Sequence, residues 1–182
     1  MLSKKHTIFK ESLIKVVLEI FNNPNKVFHL RLLAKKTKLS TTAIKKTILE
    51  LEKLNIIKIQ KTDLTTNISA NLESEEYRFY KTLVNRYQIK DLTDYLVKSF
   101  NFPETIVLFG SYARGEDTEK SDIDILVITQ NKESLMELKE LENKLNRKIN
   151  IHILKSIKNS KEEFKNSIAN GIVLYGHLEE IK

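Results

Sequence analysis

Apolar residues repeat at two different periods along this sequence, and the change of period divides the chain. Between Thr7 and Leu54 they recur at three- and four-residue spacing, the signature of helices that bury one face. From Thr105 onward short apolar runs alternate with amphipathic stretches, as strands alternate with helices in an α/β sheet. Glycine obeys the same division: all four glycines, Gly110, Gly115, Gly171 and Gly176, lie in the later part, where turns need positive φ. Charge follows it as well. Residues 1–88 carry 17 Lys and Arg against 8 Asp and Glu, net +9, whereas residues 89–182 carry 14 against 16, net −2. A basic half beside a mildly acidic one implies two domains, 1–88 and 89–182, with different partners, the first facing a polyanion. The fold class expected is α+β.

In the first half, Ile8, Leu13, Val16, Val17 and Ile20 line one face of a helix over Thr7–Phe21 that ends at Asn22-Asn23-Pro24. Leu30 opens a short second helix that stops near Thr37-Lys38. Ser40 is placed to cap a third, running from Thr41 to Leu54 with Ile44, Ile48 and Leu51 as its buried stripe. Thr41, Thr42, Lys45 and Lys46 then point outward, a donor-rich cationic surface suited to lie in a major groove and touch phosphates and base edges. Ile56–Lys61 and Asn67–Leu72 read as a two-stranded ribbon about a turn at Thr62-Asp63. Three helices followed by a hairpin, over residues 7–73, resemble the winged helix-turn-helix domain of MarR- and ArsR-like transcription regulators. That resemblance implies a helical domain with a β-wing and duplex DNA as its partner. A further helix, Glu75–Arg86, carries Tyr77, Tyr80, Val84 and Tyr87 along one side. The stripe is either a homodimer seam along Glu75–Tyr87 or a face packed within its own chain, since helical spacing identifies a buried face and not its partner.

The second half begins with a helix, Ile89–Phe100, whose Leu92, Tyr95, Leu96 and Phe100 share a face. Strands follow at Thr105–Phe109, Asp122–Thr129, Ile149–Leu154 and Ile172–Tyr175. Helices fall at Glu133–Asn146 and after a Ser160/Glu163 capping box, the latter carrying Phe164 and Ile168. The chemistry lies in "LFGSYARGEDTEKSDIDILVI". Gly110-Ser111 directly follows a strand, ten residues intervene, and Asp122-Ile123-Asp124 opens the next strand. Because strand side chains alternate, Asp122 and Asp124 project from one face while Ile123 and Ile125 enter the other. Two adjacent carboxylates repel unless a cation lies between them, and as hard oxygen ligands they suit Mg²⁺, or Mn²⁺, together with substrate phosphates. Gly110 permits close backbone approach to a triphosphate, Ser111 can donate to its oxygens, and Arg114 is spaced to add a cationic fork.

This motif resembles that of the DNA polymerase beta-like nucleotidyltransferases, in particular the minimal members, over roughly Ile89–Gly176. The resemblance implies a small α/β domain with a mixed sheet, an NTP substrate, with ATP foremost, and a nucleotidyltransferase activity. It also implies a third catalytic carboxylate on the next core strand, and there this sequence departs: aligning "RKINIHIL" places Asn150 at that position. Asn supplies a neutral carbonyl oxygen and no base. His152 shares its strand parity and is either a substitute base or a polar residue at a strand edge. Two readings follow. One is a Mg²⁺-dependent enzyme moving a nucleoside monophosphate to a hydroxyl of a protein or nucleic acid; the resemblance to minimal members that adenylylate a toxin partner implies a protein acceptor. The other is a DNA-binding regulator whose nucleotidyltransferase-like domain binds nucleotide or a partner without turnover.

Composition excludes several other classes. No cysteine is present, so a disulfide scaffold is ruled out, and 41% hydrophobic with 30% charged residues is the composition of a chain with real cores. No apolar run approaches the ~18 residues of a spanning helix, and Met1-Leu2-Ser3-Lys4-Lys5 lacks the apolar core of a signal peptide, so a cytoplasmic location without membrane association is expected. His6, His29 and His177 form no ligand-spaced set.

Overall fold

The computed structural model describes residues 11–62, 65–131, 135 and 137–178. The chain packs as two compact units, Met1–Lys81 and Thr82–Lys182, with the division inside one helix. Among the described residues there are eight helices and two sheets, a mixed α+β architecture. Among the described residues no helix is long and apolar enough to cross a membrane.

The first unit holds α1 (Glu11–Phe21), β1 (Phe28–His29), α2 (Leu30–Thr37), α3 (Thr41–Lys53), β2 (Ile57–Lys61), β3 (Thr66–Ala70) and the start of α4 (Glu75–Gln88). Its strands form an antiparallel sheet in the order β1-β3-β2. Leu13, Val16, Val17 and Ile20 of α1 are buried with Leu33 of α2 and Ile44, Ile48 and Leu51 of α3, as their spacing requires. Ser40 caps α3, its hydroxyl accepting from the Ala43 amide at 3.2 Å. Such a cap stabilises a helix by about 1 kcal/mol. The expected helix start at Thr7–Lys10, with Ile8, and Asp63 of the turn lie outside the described residues. Strand β1 has no sequence signal, because two residues are too few to show a period; Phe28 is buried and pairs with Ile68.

Helix α4 corrects the expected stripe. Tyr77 is buried, its ring 5.0 Å from that of Phe21, but Tyr87 is 79% exposed. The buried positions are instead Tyr77, Lys81 and Asn85, four residues apart, while Phe79, Leu83 and Tyr87 form an exposed row. Polar side chains hold two of the three buried positions, so a search for apolar periodicity picks the wrong face.

The second unit continues with α5 (Lys90–Ser99), β4 (Thr105–Phe109), α6 (Gly110–Arg114), β5 (Ile123–Ile128), α7 (Leu138–Leu145), β6 (Ile149–Leu154), α8 (Glu162–Ala169) and β7 (Ile172–Gly176). The sheet order is β6-β5-β4-β7, with β5 and β6 parallel and the other pairs antiparallel. The parallel pair requires a crossover, and α7 supplies it. Every residue of β4 is buried, because this central strand is covered on both faces. Ile106, Leu108, Ile123, Ile125, Val127 and Ile149 pack on one side with Leu92, Leu96 and Phe100, and α7 adds Leu138, Leu141 and Leu145 there. Val107, Phe109, Leu126 and Ile128 face the other side, with Ile168 and Phe164 of α8.

Helix α7 is described from Leu138; the expected start at Glu133 lies outside the described residues, as do 132, 134 and 136, and the Leu135 carbonyl accepts from the Leu138 amide at 3.4 Å. The Ser160/Glu163 capping box does not form. The Ser160 amide donates to the Ile157 carbonyl at 2.9 Å, which commits that residue to the preceding turn, so Lys161 becomes the N-cap without a side-chain bond. Glu162 and Glu163 still occupy the first turn, where they favour the positive end of the helix dipole.

Candidate active site

The site forms where β4 ends and β5 begins. Antiparallel pairing sets Phe109 opposite Asp124, so the residue after Phe109 must turn beside a carboxylate. Gly110 does so with φ +74°, and a Cβ built on it would lie 2.6 Å from Oδ2 of Asp124. A side chain there would have to push the Asp124 carboxylate aside. The sequence assigns this glycine to approach by a phosphate; the structure adds a reason internal to the protein, room for Asp124. Helix α6 then runs five residues to Gly115, whose left-handed φ of +68° closes the turn.

Asp124 lies on the face of β5 opposite Ile123 and Ile125, as alternation predicts, and Asp122 immediately precedes the strand. Parallel pairing aligns Asp124 with Asn150 on β6. The Asn150 Nδ2 donates to Oδ2 of Asp122 at 3.2 Å and to Oδ1 of Asp124 at 3.0 Å. All three side chains are half-buried. The structure thus brings Asp122, Asp124 and Asn150 together around one amide, beside Gly110. The repulsion of two carboxylates is met there by N–H dipoles rather than by a charge.

The donor set also answers whether a metal fits. Two carboxylates within reach of a single amide nitrogen are within reach of a single cation in its place, with the amide turned to offer its oxygen. That set is hard, anionic and incomplete, which fits one divalent cation that keeps waters and takes substrate phosphates as further ligands. Among the described residues no group of three His, Cys, Asp or Glu could hold a metal ion.

The remaining expected site residues are placed as follows. Ser111 lies in the first turn of α6, partly exposed. Arg114 turns to Glu116, its Nε donating to Oε2 at 2.8 Å, with both side chains about half exposed. His152 sits along β6 from Asn150, its ring 5.4 Å from those of Phe109 and Phe164, an aromatic contact that accounts for its position without catalysis. Thr41, Thr42, Lys45 and Lys46 are all exposed on α3, opposite its buried stripe. One group had no marker in the sequence: a buried ion pair at 2.9 Å between Arg147 and Asp117, the latter inside the spacer that joins Ser111 to Asp122.

Comparison with known proteins agrees with this geometry. The family model described as polymerase beta, nucleotidyltransferase matches residues 90–180. Three relatives, all named as candidate protein adenylyltransferases of Methanocaldococcus jannaschii, are similar to this chain. One is 41% identical over 80 residues, covering 44% of this chain and 76% of the relative. A second is 38% identical over 80 residues, covering 44% and 86%. A third is 47% identical over 57 residues, covering 31% and 58%. Nucleotidyltransferases of the matched family generally use divalent metals, in keeping with the donor set at Asp122 and Asp124. With a match over half of the chain that includes the Gly-Ser and Asp-Ile-Asp residues just described, this chain belongs to the polymerase beta nucleotidyltransferase family and is a nucleotidyltransferase.

Proposed function

We propose that the second unit transfers a nucleoside monophosphate from ATP to a hydroxyl group of a protein acceptor. The observation that carries this reading is the meeting of Asp122, Asp124 and Asn150 beside the Gly110 turn. The names of the relatives support the adenylyl group and the protein acceptor. In the transfer the acceptor oxygen bonds to the α-phosphorus, the bond from that phosphorus to the bridging oxygen breaks, and pyrophosphate leaves with the electron pair. Asp122 and Asp124 would hold Mg²⁺ or Mn²⁺, which supplies positive charge to the triphosphate oxygens. Ser111 donates to the phosphates. Arg114 joins them by leaving Glu116, at small cost, because exposed ion pairs contribute only ~0–1 kcal/mol. Asn150 orients the carboxylates and takes no proton, so the acceptor's proton departs to water or to a group on the acceptor.

Residues 1–88 are read as a winged helix that binds duplex DNA through Thr41, Thr42, Lys45 and Lys46. Three helices, the antiparallel β1-β3-β2 sheet, the net charge of +9 and the exposure of all four side chains support it. A homodimer through the Glu75–Tyr87 helix belongs to the same proposal, supported by the exposed row Phe79, Leu83 and Tyr87. The setting is cytoplasmic, where NTPs are available.

Incubation of the full chain with each labelled NTP and Mg²⁺ or Mn²⁺, followed by a search for label on protein, DNA and RNA, tests the reading. Label from ATP on protein is expected; label on nucleic acid would move the acceptor class. A second reading, binding without transfer, is favoured by one observation, the neutral Asn150 amide between the carboxylates. Absence of label with every NTP, alongside metal-dependent ATP binding, would establish that reading and overturn the first.

A further inference from the structure

The segment from Gly115 to Asp122 has no regular secondary structure, yet it must deliver Asp122 to within hydrogen-bond range of Asn150. Arg147, in the turn between α7 and β6, reaches back into it. Its Nη1 donates to the carbonyls of Thr118 at 2.6 Å and Ser121 at 2.9 Å, and its Nη2 donates to Oδ2 of Asp117 at 2.9 Å. The Arg147 side chain is 7% exposed and that of Asp117 is fully buried. Asn85 closes the arrangement from the other side. Its Nδ2 donates to Oδ1 of Asp117 at 2.6 Å and to the Tyr112 carbonyl at 2.8 Å, inside the helix that carries Ser111. The Arg147 guanidinium also lies 5.2 Å from the centre of the Tyr112 ring. The two halves of the motif, Gly110–Arg114 and Asp122–Asp124, are therefore tied to one buried ion pair.

Stability alone does not explain such a pair, because apolar replacements of similar volume are often as stable or more so. An apolar replacement could not donate to Thr118 and Ser121. The second of those bonds ends on Ser121, immediately before Asp122, and the first on Thr118, so together they hold the stretch of backbone from which the Asp122 carboxylate projects. We infer that Arg147, with Asp117 and Asn85, positions the Asp122 carboxylate for the cation and the triphosphate. The inference rests on the metal and nucleotide reading of Asp122 and Asp124.

The test compares the full-length wild type with Arg147→Lys and Asn85→Ala, each shown folded at the assay temperature by circular dichroism. Mn²⁺ affinity is measured with and without ATP. Lysine keeps the charge opposite Asp117 but replaces the rigid planar fork, whose two nitrogens serve Thr118, Ser121 and Asp117 together, by one nitrogen on a flexible stem. A role limited to balancing buried charge is rescued by it, and a positioning role is not. The expected result is about tenfold or more weaker Mn²⁺ binding in Arg147→Lys, the range seen when groups that orient metal ligands are removed. Asn85→Ala, which leaves the ion pair intact, is expected to weaken binding in the same direction. If the folded Arg147→Lys chain binds Mn²⁺ as the wild type does, the inference is overturned. Should Arg147→Lys not fold, Asn85→Ala decides by the same comparison. No Mn²⁺ binding by the wild type would overturn the metal reading itself, a separate outcome.

Discussion

The two polar surfaces of this chain are built on opposite terms. On α3, Thr41, Thr42, Lys45 and Lys46 stand in solvent while Ile44, Ile48 and Leu51 hold the helix, so the polar residues depend on the fold and the fold does not depend on them. At the start of β5 the polar residues are themselves held. Asp124 fills the space that Gly110 leaves, Asn150 bridges both carboxylates, and the Asp117–Arg147 pair fastens the approach. The difference teaches what each interaction demands. Attraction to a polyanion acts over a Debye length of about 8–10 Å and tolerates loose placement. Binding Mg²⁺ demands near-ideal octahedral geometry at about 2.0–2.1 Å, so every ligand needs a support.

The strongest way to sharpen that contrast is Asn150→Asp. It changes one donor group into a charged ligand and possible base without changing side-chain volume, and a positioned base contributes ~10²–10⁴-fold to rate. Transfer of labelled nucleotide should rise within that range, and divalent-metal affinity should rise with it. Tighter metal with no gain in transfer would mean that the acceptor site is missing, and no change in either would remove Asn150 from the cation site.

Next in size is the loss of both carboxylates. A ligand that binds only the folded state at ~100 times its Kd adds about 2.7 kcal/mol to stability. Thermal denaturation of Asp122→Asn/Asp124→Asn should show none of this gain with Mg²⁺ and ATP. Without ligand the double variant should be at least as stable as wild type, because the repulsion between the carboxylates is gone. A preserved ligand shift would place the cation elsewhere.

Gly110→Ala should cost roughly 1–3 kcal/mol, the usual size of a strained backbone conformation. It should also lower nucleotide transfer, because the new Cβ displaces Asp124. Calorimetry and the transfer assay, run on the same sample, would contradict the close-approach argument if both remained at wild-type values.

The smallest structural effect is expected on α3. Replacing Lys45 and Lys46 by Ala should leave stability within about 0.5 kcal/mol, as for surface changes generally. The slope of log K against log salt for duplex DNA should flatten by about 0.9 for each phosphate that the variant no longer neutralises. An unchanged slope would detach these lysines from DNA. A large stability loss would break the contrast between the two surfaces.

Local rules reached far into this molecule. The apolar stripe of α3, the Ser40 cap, the buried strand β4 and the alternation that separates Asp124 from Ile123 and Ile125 follow from spacing alone, since each depends on residues a few positions apart. The neighbourhood of Asp124 and Asn150 was legible too, from the order of strands and the parity of one alignment. Other features depended on partners distant in the chain. Lys81 and Asn85, rather than an aromatic stripe, occupy the buried face of α4, and Asn85 finds its acceptors at Tyr112 and Asp117. Asp117 and Arg147 look in sequence like any two of the chain's many charges, and only the return of β6 beside β5 brings them within 2.9 Å. Periodicity reports which side of an element avoids water. A buried polar bond is made by the meeting of two elements, and that meeting is decided only when the sheet closes.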